Sequence, residues 1–286
     1  MLQFTRDKME KITLNKKLVT LASKFFRNTS VYTADVSSHI NYRVADSILT
    51  DGYKLLSIPN TLPIIADNAK SLALSPIFNW YFYKTYTTKH CIIEADLEHH
   101  CYRAVLDNDL IAAADFRTNF PDCDRVLSDY SYNLNMHIEN PVGIYNQLAT
   151  IQAAIKDFNA KQKLKKQPLY NSEQTKVVFS TYYEGGYTFV KAEVGLSDIE
   201  FDFALTNQLR ESLCLIDYSL PKTCGIDDTF RAGFNFNKLA SCFDVIKRVA
   251  DSKYFNLDIS FDTSNSAPIK LTLDNGAWCI LIPIKL

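Results

Sequence analysis

Short stretches in which apolar and polar residues alternate dominate this chain, interrupted by a few segments whose apolar residues recur every three or four positions. Residues 9–14 (MEKITL) alternate and predict a strand. Asn15 predicts the cap of a helix running to about Arg27, with Leu14, Leu18, Leu21 and Phe25 on one stripe. Lys17, Thr20, Lys24 and Arg27 fall on its other face. Strands are predicted at about 30–36, 40–50, 53–58 and 62–74. Ser75-Pro76 reads as a helix start, a cap followed by a proline whose missing N–H costs nothing there. That aromatic helix (IFNWYFYKTY) ends near Tyr86, and strands at 89–96, 100–107 and 109–117 complete the half.

The pattern then restarts. Residues 132–138 alternate, and Asn140-Pro141 opens a helix with Ile144, Leu148, Ile151, Ile155 and Phe158 on one stripe. It runs into an exposed basic extension, KQKLKKQ. Strands are predicted at 175–184, 187–195 and 198–206, a polar irregular stretch at 207–230, and a helix at 236–250 with Phe236, Leu239, Phe243 and Ile246 inward. Strands at 254–262, 268–274 and 277–284 close the chain. Each half thus reads strand, helix, strands, helix, strands, an architectural repeat without evident sequence identity. The expectation is an α+β fold, helices packed on antiparallel sheet, in two domains, 1–127 and 128–286.

Charge changes this picture little at first. Lys+Arg is 31 against Asp+Glu 32, which excludes a uniformly basic coat but not a local basic surface. Seven cysteines, none in a Cys-x-x-Cys pair, predict reduced thiols and a cytoplasmic location rather than a secreted disulfide framework. The N-terminus lacks an apolar core of the signal-peptide kind, and no apolar run is long enough to span a membrane. Nucleotide-loop, nucleophile-elbow and His-Glu-x-x-His motifs are absent, so no enzyme, cofactor or metal is expected.

Two clusters could carry metal chemistry. His90-Cys91 and His99-His100-Cys101 flank an expected hairpin turn and could offer zinc ligands, although alternation places His90 and Cys91 on opposite strand faces. Asp198, Glu200 and Asp202 share one strand face and could hold Mg²⁺, but a half-buried strand needs a polar outer face anyway. Basic helix faces carry more weight. Lys17, Lys24, Arg27 and Lys84 in the first half, and Lys156, Lys238, Lys247 and Arg248 in the second, would make one basic surface if all four helices lined it. Such a surface binds phosphates without reading bases.

Three segments carry a more specific signal: TDGYKL at 50–55, FPDCDRVL at 120–127 and the tail ILIPIKL at 280–286. In this order and spacing they resemble the Thr-Asp-Gly-His-Arg-Leu turn, the Phe-Pro-Asp-Tyr-Arg-Arg-Val-Leu linker and the terminal Val-Met-Pro-Met-Arg-Leu of the bacterial beta sliding clamps. Phe234-Asn235 before the last helix, and SAPIKLTL before the tail, follow the same order.

The resemblance implies a non-enzymatic processivity factor whose helices line a central hole around double-stranded DNA. It implies a hydrophobic cleft between domains that takes a peptide from DNA polymerase or from other replication and repair proteins. One side would be Thr50, Gly52, Tyr53, Lys54, Leu55, Pro121, Arg125 and Val126; the other would be Asn235, Lys238, Ile282, Pro283, Ile284, Lys285 and Leu286. Tyr53 stands for the family's histidine, Asp124 for an arginine, Lys238 for a tyrosine, and two isoleucines for tail methionines. The bacterial clamps have three domains per chain and dimerise; this chain resembles the middle and last. Two domains per chain is the arrangement of phage clamps and of the proliferating cell nuclear antigen, so a homotrimeric ring is expected, with a clamp loader as a further partner and a phage or low-GC source. The alternative is a clamp-derived peptide-binding module that does not close a ring.

Overall fold

A computed structural model describes residues 9–15, 21, 25, 40–43, 46–50, 52–59, 71–74, 90–96, 101–106, 109–115, 123–195, 213–220, 230–250, 252–263 and 268–284. The chain forms two compact units. One comprises Met1–Val126 with Asn275–Ala277, the other Leu127–Asp274 with Trp278–Leu286.

In the first unit, β1 (Met9–Asn15), β6 (His90–Asp96), β7 (Cys101–Leu106) and β8 (Asp109–Asp115) are antiparallel neighbours in the order β1-β6-β7-β8. A second run orders β5 (Ser71–Leu74), β2 (Ile40–Arg43), β3 (Asp46–Thr50) and β4 (Lys54–Pro59) as β5-β2-β3-β4. All five residues of β3 are buried, so both of its faces are covered. Its one carboxylate, Asp46, is satisfied by the Ser57 hydroxyl, which donates at 2.6 Å. Leu21 and Phe25, one helical turn apart, are helical and buried, as the apolar stripe requires.

Two expectations are corrected here. Leu14 and Asn15 belong to β1, where they pair with Cys91 and His90, and not to the helix. The stretch 40–50 is a hairpin, with Tyr42 opposite Ser47, rather than one strand. The strand expected at 30–36, the start of that at 62–74 and the helix expected at 76–86 lie outside the described residues.

The second unit starts within a short helix, α1 (Cys123–Ser128), that the sequence reading took for linker. One sheet orders β12 (Cys214–Ser219), β11 (Tyr187–Gly195), β10 (Lys176–Glu184) and β13 (Arg231–Asn235) as β12-β11-β10-β13. The other run orders β16 (Trp278–Leu281), β15 (Ile269–Leu273), β14 (Asn256–Phe261) and β9 (Leu134–Glu139) as β16-β15-β14-β9. Gly185 and Gly186, both at positive φ, make the two-residue turn joining β10 to β11. Strand β12 falls inside the stretch expected to be irregular, and the strand expected at 198–206 lies outside the described residues.

Two helices pack on this framework. In α2 (Val142–Leu164) the predicted stripe is buried: Ile144, Leu148, Ile151, Ile155 and Phe158. The helix begins one residue later than Asn140-Pro141 suggests, with Pro141 as its cap residue. In α3 (Phe236–Ala250) Phe236, Leu239, Phe243 and Ile246 are buried as predicted. Between the two sheets, Phe179 of β10 stands 4.9 Å from Phe261 of β14 and meets Phe234 of β13 edge-on at 5.7 Å. Phe230 meets Phe261 at 5.3 Å. Each such ring pair adds about 0.5–1.5 kcal/mol beyond the area it buries.

Candidate nucleic-acid and peptide interfaces

The turn 50–55 is built by its own polar groups. The Thr50 hydroxyl donates to the Lys54 carbonyl at 3.1 Å and accepts from the Gly52 N–H at 3.2 Å. Gly52 sits at φ 82°, a conformation that glycine adopts without a Cβ clash. Tyr53 is thereby presented to solvent, 59% exposed, while Leu55 turns inward. Lys54, between them, also turns inward. It is only 5% exposed, its ammonium donates to the Phe25 carbonyl at 2.6 Å, and it lies 4.4 Å above the Phe25 ring. A charge so placed anchors the turn to the first unit's helical segment.

Of the linker residues, Arg125 is exposed on α1 and Cys123 is buried. Pro121 and the Val126 side chain lie outside the described residues.

Asn235 also serves the fold directly. Its side-chain oxygen accepts the Lys238 N–H at 3.0 Å, which caps α3. Its amide nitrogen donates to the Glu173 carbonyl at 2.9 Å and lies 3.3 Å from the Glu173 carboxylate. The same carboxylate accepts from the Asn237 amide at 3.0 Å. Glu173 therefore ties the start of α3 to the loop before β10, a role the sequence pattern did not reveal. Lys238 is half-buried in the first turn of α3. In the tail, the Ile284 N–H donates to the Gly233 carbonyl at 2.8 Å, so the chain end is fastened to β13. Ile282 remains 46% exposed, Pro283 and Ile284 are half-buried, and Lys285 and Leu286 lie outside the described residues.

The basic candidates divide in two. Lys17, Lys24, Arg27 and Lys84 lie outside the described residues. Lys156 on α2 and Lys247 and Arg248 at the end of α3 are exposed. The Lys247 ammonium rests 5.0 Å over the Tyr145 ring of α2. Tyr145 is buried against Phe243, and burial, reinforced by Asp244, pushes its phenol well above the usual range. The ring is thus neutral and offers its face to a cation. Arg248 is held by Asp244 through two bonds of 3.1 Å. Lys161 pairs with Asp157 at 2.7 Å. Both pairs have the i, i+4 spacing of helix neighbours, a signal present in the sequence that the reading of lysines alone passed over.

Strand register bears on the zinc alternative. Asp96 faces Cys101 and Leu14 faces Cys91, so Cys91 and Cys101 sit at opposite ends of the β6–β7 hairpin. Five residues at about 3.4 Å each separate their levels by roughly 17 Å along the strands, too far for one ion. His99, His100, Asp198, Glu200 and Asp202 lie outside the described residues. Cys123, Cys242 and Cys279 are buried thiols and Cys214 is a half-buried one.

The arrangement of sheets and helices is the α+β sliding-clamp fold. The similar solved structures include the DNA polymerase sliding clamp of Caulobacter crescentus, with a TM-score of 0.56 and 14% identity. They also include the DNA polymerase III beta chain of Streptococcus pneumoniae, at 0.60 and 14%. The Helicobacter pylori beta clamp bound to a DNA ligase peptide matches at 0.55 and 12%. Each alignment covers 100% of this chain, and 68%, 67% and 68% of the respective clamps. No family model matches the sequence, and no curated protein matches it. Among the described residues, no helix is long and apolar enough to cross a membrane.

Proposed function

We propose that this chain is a sliding clamp that encircles duplex DNA and tethers a DNA polymerase as a processivity factor. The observation that carries the proposal is the likeness of the whole chain to bacterial beta clamps at the level of the fold. The exposed cations of α2 and α3 support it, because scattered lysines and arginines on helix faces meet phosphates without reading sequence. Loose contacts of that kind permit sliding. Topology, not affinity, then keeps the protein on DNA, and a bound polymerase gains effective concentration at the primer end.

Two domains per chain make three chains the number that supplies six, so the ring is a head-to-tail homotrimer. Light scattering across a concentration series is expected to give about 98 kDa, three chains of 32.6 kDa. A monomer at every concentration would favour a cleft-bearing module that never closes.

Partner peptides are proposed to dock in a hydrophobic interdomain cleft edged by Tyr53 and Leu55 from the turn and by the tail from Ile282 onward. The clamp of H. pylori was solved with a ligase peptide, which supports a peptide-binding role. Ile282 is the residue to change, because it is exposed, whereas deleting the tail would also remove the Ile284 bond to Gly233. Ile282→Ser is expected to abolish polymerase stimulation while leaving the melting temperature unchanged. Full stimulation by this variant would exclude the tail from the partner site.

A further inference from the structure

Among the exposed cations of the second unit, the neighbours differ sharply. Arg248 gives two of its N–H groups, from Nε and Nη2, to the two oxygens of Asp244, so the pair is neutral as a unit. Lys161 is likewise neutralised by Asp157. Lys247, the residue next to Arg248, is seated over a neutral ring and, among the described residues, is in no ion pair. A phosphate approaching Arg248 must compete with the Asp244 carboxylate for two of its N–H groups. A phosphate approaching Lys247 meets a cation already placed over the Tyr145 ring.

We propose that Asp244 acts as an internal competitor for the phosphate backbone, holding Arg248 out of DNA contact and leaving Lys247 as the phosphate-contacting cation of α3. Asp157 does the same to Lys161 on α2. The carboxylates thereby set the grip: the helices carry more cations than they use, and each restrained one lowers the cost of moving along the duplex. This rests on the sliding-clamp reading. It deepens that reading by naming which charges engage DNA and what limits them. Exposed pairs of this kind are weak, so they restrain without locking, which is what a tunable grip requires.

The test is binding of the full-length protein to a short duplex of arbitrary sequence, followed by fluorescence anisotropy over a salt series. Each phosphate neutralised contributes about 0.9 to the slope of log affinity against log salt, or roughly 3.5-fold in affinity between 50 and 200 mM. Lys247→Gln is expected to flatten the slope by about one phosphate. Asp244→Asn is expected to steepen it by about one phosphate, and Asp244→Asn/Arg248→Gln to return it to the wild-type value. A slope unchanged by Asp244→Asn, or a gain that survives in the double variant, would overturn the inference while leaving the clamp reading intact. The second outcome would mean that the whole molecule's field, not Arg248, gained the contact. Wild-type protein with no salt-dependent binding would overturn this inference alone, because enclosure needs no affinity for an open duplex and is judged by retention on circular DNA. All three positions are exposed, so circular dichroism is expected to show an unchanged fold.

Discussion

At the scale of single residues, polar side chains that sequence patterns assign to a surface are spent on holding the chain together. Asn235 joins the cap of α3 to the loop at Glu173. Asn235→Ala is expected to cost about 1–2 kcal/mol in urea unfolding, the range for a lost helix cap. Lys54 is the sharper case. The Thr-Asp-Gly turn around it was legible from Thr50 and Gly52, because only a few residue types build such a turn. The inward course of Lys54 was not, since a lysine normally carries its ammonium to water and this one is bound by the Phe25 carbonyl, distant in sequence.

His137 gives a pH-dependent prediction. The hydrogen bond to Asp258 at 2.7 Å, with help from the Asp258, Glu139 and Asp274 charges, holds His137 above the ordinary 6.5, slight desolvation opposing it. A raised folded-state pKa stabilises the fold fully below the unfolded value, and the contribution is lost as pH rises through the folded one. His137→Gln is therefore expected to lower the melting temperature at about pH 5.5 and to have no effect near pH 9. Equal effects at both pH values would place the contribution of His137 in packing instead of charge.

At the scale of elements, long periodic segments were legible and short ones were not. The helices α2 and α3 announce themselves through five and four apolar positions on one stripe. Strand β12 is hidden by a bulge. Glu193 faces Cys214 while Ala192 faces Ile216, so Leu215 is the extra residue, and Leu215 and Ile216 are both buried. Two consecutive inward residues break the alternation that marks a strand. The β2–β3 hairpin is hidden for the opposite reason: the residues between the strands, Val44-Ala45, carry no glycine, proline or asparagine.

The end of α2 supplies an element-scale prediction. The Gln167 N–H bonds to the Gln162 carbonyl and the Lys166 N–H to the Lys163 carbonyl, with Lys166 at φ 55°. This is the termination that usually places glycine at the left-handed position. Lys166→Gly is expected to stabilise the fold by about 1 kcal/mol, read as a raised urea midpoint at unchanged slope. Phe261→Ala, which removes the ring shared by Phe179, Phe230 and Phe234, is expected to cost about 3–5 kcal/mol.

At the scale of the whole molecule, a fold is kept with 11% to 14% identity to its structural neighbours. Cores accept many apolar substitutions if volume and patterning persist, so a shared architecture outlasts shared sequence. What survives as readable sequence is local: a turn that needs Gly52, and a tail whose backbone is tied to Gly233. These sit where backbone geometry, and not side-chain volume, restricts the residue, which is why three short segments pointed to the fold. The charge pattern of the helices is legible further than as a list of cations, because the i, i+4 spacing of Asp157–Lys161 and Asp244–Arg248 already places each carboxylate beside its cation.

The proposed clamp holds DNA by enclosing it. The most direct test compares retention on a nicked circular plasmid with retention on the same plasmid cut once, in gel filtration at a salt concentration that suppresses phosphate contacts. Enclosure predicts that protein elutes with the circle and is released when the DNA is linearised. Equal retention on circular and linear DNA would show surface binding in place of enclosure and would contradict it.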